Sequence, residues 1–457
     1  MAIKPAGKVI IGLALVGGSY FALKHFTKVL DTKVQTTTLV APKGDPYLKF
    51  AGSTTIGDSL ISLMANSYLT SLGASNIAET SSGSDKQIIA NLNGKDIYIQ
   101  ISAHGTQTGF DGLQNKEADI CMASAQIDEI TSHSFTGEDM RSHDNEHIIG
   151  LDGIAIIVNA SNPVQELSLA QLKKIYSGEI TNWSSFGGTG TIEVDSRDNN
   201  SGTFKTFSES VMNKTPIVGG AQQYQNSTDM VKEVTKNSNA IGFISFAFTK
   251  NQPNIKTLAI KPGDNINSSL PNILTMKTER YPLCRRLFLY TVKSNTNPNI
   301  SSFINYAISE SGQSQVELLG FVSLKINIDQ PLKTGTSSEY QALSNLAEKS
   351  SIEFRFRLGK IDLDSRSIDD ISRLVEYLSN TAKGKKVILV GFTDNSGSPQ
   401  RNIDLSLTRA NIIKDQLTKS GVEVEDVKGF GDQMPVHSND NEIERSLNRR
   451  VEVWISK

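Results

Sequence analysis

Between residue 48 and about residue 328 the chain alternates short apolar runs with apolar positions spaced three and four apart. Residues 48–51, 97–101, 118–122, 153–158 and 241–245 predict strands, and residues 110–116 and 167–176 predict helices. Ile56, Leu60, Leu63, Met64 and Tyr68 recur at near-helical spacing, with Ser53 or Thr54 placed to cap that helix. Strands alternating with helices imply an α/β architecture with helices on both faces of each sheet. Roughly 280 residues is large for one such sheet, so two lobes are expected.

The rhythm changes after residue 328. Residues 330–350 are rich in Thr, Ser and Gly and lose the strand signal, which predicts a linker containing some helix. Ile352, Phe354 and Phe356 then alternate with Glu353, Arg355 and Arg357, the pattern of a half-buried strand. Ile368, Ile371, Leu374, Val375 and Leu378 form a helical stripe, and residues 387–390 predict the next strand. A second helix carries Ala410, Ile413 and Leu417 and stops at Gly421. The chain ends in Val451, Val453 and Ile455 alternating with Glu452, Trp454 and Ser456, which completes a compact α+β domain.

The N-terminus adds a segment of another kind. Lys4 and Lys8 precede an apolar run over residues 9–23 that Lys24 closes, the pattern of a signal-peptide core or a short membrane anchor. The resulting organisation is a signal or anchor segment at 1–27, a polar tether at 28–46, the α/β domain at 47–328, a linker at 329–350 and the α+β domain at 351–457. Most of the protein is therefore expected outside the cytoplasm. Its 46 Lys and Arg nearly cancel 48 Asp and Glu, and a net charge of -2 provides no footprint for nucleic acid. Cys121 and Cys284 are too few for a disulfide framework. A single bridge and two buried free thiols both remain open.

Three segments of the α/β domain share one chemistry: Gly52-Ser-Thr-Thr55, Gly105-Thr-Gln-Thr-Gly109 and Ser201-Gly-Thr203 each place hydroxyls and glycine where a helix should start. Exposed N–H groups at a helix N-terminus attract an oxyanion, glycine lets the backbone come close, and hydroxyls such as Thr106 and Thr108 add neutral donors. Arg197, just upstream of Ser201, is able to grip oxygens in a bidentate fork, or to pair with Asp198 beside it.

Residues 48–325 resemble the periplasmic phosphate-binding proteins of ABC transporters, the PstS-like family. The likeness is carried by Phe50-Ala-Gly-Ser-Thr-Thr55, the Gly105 and Asp152 segments, the run ending in Trp183, Arg197-Asp-Asn-Asn-Ser-Gly-Thr203, Ala240-Ile-Gly-Phe243 and Tyr281-Pro-Leu-Cys-Arg285. It implies a two-lobed (type II) binding protein that closes on phosphate or a related oxyanion, with Ser53, Thr54, Ser82, Arg197, Ser201, Gly202 and Thr203 lining the site. It also implies an ABC transporter permease as partner. One departure stands out: where the family usually offers an aspartate near the ligand, this chain has Ala123-Ser-Ala-Gln126. An aspartate acceptor admits a protonated phosphate and repels sulfate, which has no proton to donate. Gln107 also stands where a glycine is usual.

In the C-terminal domain, Asp394 falls on a loop after a strand and Arg409 inside the following helix. Opposite charges on one rim suit a zwitterionic ligand, and equally suit a mutual salt bridge. Residues 351–457 resemble the OmpA-like peptidoglycan-binding domain through Thr-Asp-x-x-Gly at Thr393, Asn402, Leu-Ser-x-x-Arg-Ala ending at Ala410, Gly429-Phe-Gly431 and Asn448-Arg-Arg-Val451. The resemblance implies non-covalent binding of the diaminopimelate-containing stem peptide, gripped by Asp394 and Arg409 and supported by Thr393, Asn402 and Arg450.

Other chemistry is set aside. His143 and His147 stand four apart, but their setting reads as a solvated loop, so no metal site is expected. His104 lacks a recognisable nucleophile–base partner, so no enzyme is expected, and no cofactor motif occurs. The expected protein captures an oxyanion in the periplasm while fixed to the inner membrane and to the wall. The alternative is a structural linker whose binding lobe takes a different ligand or a protein partner.

Overall fold

The computed structural model describes residues 44–199, 201–263, 266–329, 337–356, 362–440 and 442–457. The apolar run at residues 9–23 lies outside them, and none of the described helices is long and apolar enough to cross a membrane.

Lobe 1 is built from β1 (Leu48–Gly52), β2 (Ser75–Ser82), β3 (Asp85–Leu92), β4 (Lys95–Ser102) and β5 (Ile120–Ala123). Strand β6 (Glu146–Asn159) then carries the chain from lobe 1 into lobe 2. Lobe 2 holds β7 (Glu166–Ser168), β8 (Glu193–Arg197), β9 (Gln222–Tyr224), β10 (Ala240–Ser245), β11 (Ile255–Thr257) and β12 (Ala259–Lys261), and β13 (Cys284–Tyr290) returns to lobe 1. The order β2-β3-β4-β1-β5-β13-β6-β10-β8-β9 makes one continuous sheet through both lobes. Strands β6 and β13 run antiparallel where the lobes meet, with Cys284 opposite Gly153 and Arg285 opposite Asp152. They are the hinge.

Each lobe buries apolar side chains on both sheet faces. In lobe 1, Phe50, Ile99, Ile101 and Leu287 pack with Leu60, Met64 and Phe303, while Phe110, Cys121, Ile148 and Tyr290 fill the other side. In lobe 2, Ile156, Phe207 and Phe243 form one core, and Ile157, Met230 and Val234 the other. The two-lobed α/β expectation holds. The double hairpin β2-β3-β4 does not follow the strand–helix rhythm; it turns at Gly83 and at Asn93-Gly94, both of the latter at positive φ (53° and 80°). Both cysteines are free, Cys121 buried in the core and Cys284 half-buried.

The C-terminal domain is a sheet in the order β14 (Ile328–Asp329), β15 (Ala347–Arg355), β18 (Arg450–Ser456), β16 (Val387–Gly391) and β17 (Val424–Gly429). Helices at Ser365–Asn380 and Pro399–Lys419 cover one face through Leu374, Leu378, Ala410 and Ile413. The helix Ser338–Leu346 covers part of the other, with Tyr340 and Leu343 against Trp454.

The polar face of β15 and β18 departs from the half-buried expectation. Glu353, Arg355, Arg450 and Glu452 are all buried, because that face meets lobe 2 and, at Glu452 and Arg450, also Tyr340 and Phe392 of its own domain. Arg280 of lobe 2 reaches Glu353 at 3.2 Å and Glu452 at 2.5 Å, and Lys349 joins the same carboxylates at 2.7 and 3.0 Å. Beside this cluster Glu279 is bonded by Arg286 and by Arg366, at 2.6 and 2.7 Å. Burial opposes the charge on Glu279, but Arg286, Arg355 and Arg366 outweigh it and hold the carboxyl well below its usual range.

His437 lies in the same interface and donates from Nε2 to the Glu279 carbonyl at 2.6 Å. Burial lowers it from 6.5 to about 4, and burial does the same to His147 in lobe 1. A histidine whose folded value is depressed leaves the unfolded chain binding more protons, so stability is present near neutrality and is lost as pH falls from about 6.5 to about 4. His143, raised by its hydrogen bond to Asp369, has the opposite sign, its contribution fading as pH rises. It is far more exposed than His437 and offsets little. Asp195, pushed up to about 7 by burial, has the opposite sign in the same window, so the His437 contribution is read as a difference. Relative to the unaltered chain, His437→Asn should tilt the slope of unfolding temperature against pH toward a smaller fall on the acid side. An unchanged slope would show that His437 keeps an ordinary value.

Candidate functional site in the cleft and on the C-terminal sheet

The cleft site begins where β1 ends. Gly52 sits at φ 131°, and a Cβ there would lie 2.2 Å from the Met122 carbonyl, so only glycine lets β1 turn past β5. That turn presents Ser53 as N-cap of α1 (Thr54–Ile56), with its hydroxyl making no capping bond. Gly105 N–H donates to Gly52 O at 2.8 Å, which seats the start of α2 (Thr106–Gln114) beside the start of α1. Ser124 N–H donates to Thr106 Oγ1 at 3.3 Å, whereas Thr108 Oγ1 turns back to Gly105 O at 2.9 Å.

Lobe 2 supplies α3 (Gly202–Ser210), capped by Ser201, whose side chain accepts from Thr203 N–H at 3.2 Å. Gly202 faces Thr55 of lobe 1 so closely that an added Cβ would lie 2.1 Å from Thr55 Oγ1. The starts of α1 and α3 thus meet across the cleft, and α2 flanks them. Helix starts from two lobes therefore lie together, and free N–H groups at helix starts attract an oxyanion.

Two arginines frame this convergence. Arg197, ending β8, donates to Ser227 Oγ at 2.9 Å, Gln225 O at 2.9 Å and Tyr224 O at 3.3 Å. These neutral acceptors fix the guanidinium, and the Asp198 carboxylate beside it acts on its charge. Arg285, on hinge strand β13, donates from Nε and Nη2 to Asp152 Oδ2 at 3.2 and 2.9 Å and from Nη2 to Thr55 Oγ1 at 3.2 Å. Asp152 Oδ1 in turn accepts from Gly153 N–H at 2.8 Å and Ser245 Oγ at 3.4 Å. Arg285 and Asp152 were not among the expected lining residues, although both lie in segments that carry the family likeness.

The other expected residues are placed differently. Ser82 is exposed at the end of the β2–β3 hairpin, paired in register with Asp85. Ala123-Ser-Ala-Gln126 offers no carboxylate, and the Gln126 amide donates instead to Glu146 at 3.0 Å. His143 pairs with Asp369, and among the described residues no cluster of His, Cys, Asp and Glu fits a metal.

The second site lies where β16 runs into its loop. Asp394 Oδ1 accepts from Ser396 N–H at 2.9 Å, and Oδ2 accepts from Arg449 at 2.8 Å. Burial works against the Asp394 charge, yet the Arg449 and Ser396 bonds hold its carboxyl below the usual range. Arg449, not Arg409, is the cation that Asp394 binds. Arg409, on the helix Pro399–Lys419, is buried with Nε and Nη1 unbonded, its guanidinium 5.3 Å from the Phe356 ring centroid. Thr393 Oγ1 beside Asp394 is buried and unbonded as well. Asn402 steadies the loop by donating to Gly397 O at 3.3 Å. Arg450 lies deeper, 1 % exposed, stacked 3.9 Å over Phe392 and paired with Glu452 at 3.0 Å. The pocket thus holds a fixed carboxylate next to a desolvated, unsatisfied arginine, which suits a ligand that carries both ammonium and carboxylate.

Residues 65–311 match the PBP superfamily domain, and residues 355–449 match the OmpA family. The phosphate-binding protein PstS of Staphylococcus epidermidis is 31% identical over 236 residues, covering 50% of this chain and 71% of that protein. Protein SphX of Synechococcus elongatus is 28% identical over 262 residues, covering 55% of this chain and 74% of its own. The crystal structure of an ABC-type phosphate transport receptor from Vibrio cholerae aligns with 60% of this chain and 99% of its own, at 24% identity and a TM-score of 0.47.

Proposed function

Because the chain belongs to the PBP superfamily and carries an OmpA family domain behind its binding lobes, we propose that it captures phosphate or a related oxyanion while attached to peptidoglycan. The observation that carries this reading is the meeting of the α1 and α3 starts at Thr55 and Gly202. Curated relatives named as phosphate-binding proteins support the choice of anion. The N–H groups and hydroxyls at Ser53, Thr54, Thr106, Ser201, Gly202 and Thr203 bind the anion's oxygens, Arg197 and Arg285 supply positive charge, and closure of the lobes removes water. Thr108 and Ser82, from their positions, contribute at most at the rim.

In the C-terminal domain Arg409 takes the carboxylate of the diaminopimelate stem peptide and Asp394 its ammonium, with Thr393 donating to the ligand and Asn402 and Arg450 holding the pocket. The protein works in the periplasm, held near the wall, and delivers its anion to an ABC transporter permease. It acts by binding, with no bond made or broken. The apolar N-terminal run serves as membrane anchor or signal segment.

Selectivity follows from Ala123-Ser-Ala-Gln126. Without a carboxylate acceptor there, the site lacks the group that rewards a protonated oxyanion and repels a fully ionised one. Isothermal titration of the full chain should show binding of phosphate and arsenate, with sulfate weaker by no more than about tenfold, or ~1.4 kcal/mol. No heat with any of the three anions would sink the oxyanion reading. Sulfate excluded by several orders of magnitude would show that another acceptor, with Asp152 nearest to hand, does the selecting.

A further inference from the structure

The first turns of α4 (Ser365–Asn380) touch everything that must move when the lobes open. Toward lobe 1, Asp369 Oδ1 lies 2.7 Å from His143 Nε2, and Ser365 Oγ donates to Arg141 O at 3.4 Å. Toward lobe 2, Arg366 donates to Glu279 Oε1 and to Lys277 O, both at 2.7 Å. Toward the hinge, the N-cap residue Asp364 accepts from Arg286 of β13 at 2.8 Å. Arg286 and Arg285 are consecutive on that strand, so their side chains leave opposite faces, one to the C-terminal domain and one to the cleft.

Arg366 and Asp369 are three residues apart and therefore neighbours on one helix surface. A helix turn does not stretch, so the lobe 1 and lobe 2 contacts are held at a fixed separation. Opening the cleft moves one lobe against the other about β6 and β13 and must break one set. Meanwhile the lobes already touch at Thr55 and Gly202.

We propose that the C-terminal domain is a strap across the back of the hinge, whose helix α4 grips both lobes, holds them closed and prolongs residence of the captured anion. This rests on the oxyanion reading above. The strap makes the wall-binding domain a part of the binding machinery as well as an attachment.

The test uses the full chain with inorganic phosphate and the variants Asp369→Ala and His143→Ala, which cut the lobe 1 grip from either side. Asp369 and His143 are partly exposed, so neither change disturbs the buried ion cluster. Each variant should weaken phosphate binding about 5-fold or more, the low end of allosteric couplings, through faster dissociation. An unchanged or tighter dissociation constant in both overturns the strap. A second reading needs no ligand: spin labels at Lys95→Cys and Lys174→Cys, on exposed sites of the two lobes, in a chain with Cys121→Ala and Cys284→Ala. Their distance distribution should be narrow in the ligand-free chain and broaden to longer distances with Asp369→Ala. Identical distributions overturn the strap. If the unaltered chain takes no phosphate the oxyanion reading fails, and the distance measurement still decides the strap.

Discussion

Glu279→Gln lowers the stability of the chain by about 3–5 kcal/mol, the cost of removing one partner from a buried ion cluster. Its carboxylate is bonded by Arg286 and Arg366 and lies 3.5 Å from Arg355. With the charge gone, three buried guanidinium groups face one another, and Asp364, Asp370 and Glu353 offset only part of the repulsion. Thermal unfolding should show a large drop in midpoint, together with loosening of the contact between lobe 2 and the C-terminal domain. Arg280→Met is the informative contrast, because it leaves Glu353 and Glu452 with Lys349 and Arg450 as partners and should cost less. A Glu279→Gln midpoint within about a degree of the unaltered chain would show that the cluster carries no net stability, as happens when desolvation cancels attraction.

Arg409→Ala should act in the opposite sense on stability and on binding. Its Nε and Nη1 are buried without partners, so the ligand-free fold bears the desolvation penalty of those donors. Removing them leaves thermal stability unchanged or slightly raised. Binding of diaminopimelate-type peptidoglycan should weaken by about 2–5 kcal/mol, the cost of truncating one side of a buried charge pair. Asp394→Ala should also abolish wall binding, but with a loss of stability, since it removes the ion pair with Arg449. If Arg409→Ala kept full affinity for isolated sacculi, the wall site would lie elsewhere.

The parts of the molecule legible from sequence were those set by local pattern. The strand–helix alternation, the hydroxyl-and-glycine turns at Ser53, Thr106 and Ser201, and the loop around Asp394 depend on short stretches. Each of those turns starts a helix, although Ser53 makes no capping bond and the helix expected at 110–116 begins at Thr106. The hairpin β2-β3-β4 was less legible because β2 is largely exposed and polar, so its alternation gives little contrast, although Asn93-Gly94 marks a turn. What stayed hidden was partner choice. Asp394 bonds Arg449, 55 positions away, and nothing local favours it over Arg409. Glu353, Arg355 and Glu452 have the composition of a solvated strand face, and it takes the docking of lobe 2, together with Tyr340 on Glu452, to make them a core. Arg285 enters the cleft because β13 pairs with β6 at Asp152, a register that no single segment encodes.

The proposed function requires one chain to hold an oxyanion and the wall at the same time, at two separate sites. Cosedimentation with purified diaminopimelate-type sacculi in radiolabelled phosphate reads both at once. The unaltered chain should pellet with the sacculi and carry one phosphate per molecule. Gly202→Val, which places a branched side chain where even a Cβ lies 2.1 Å from Thr55 Oγ1, should pellet as well but carry none. Arg409→Ala should stay in the supernatant with its phosphate. Pelleting without phosphate in the unaltered chain, or phosphate retained by Gly202→Val, would contradict that function.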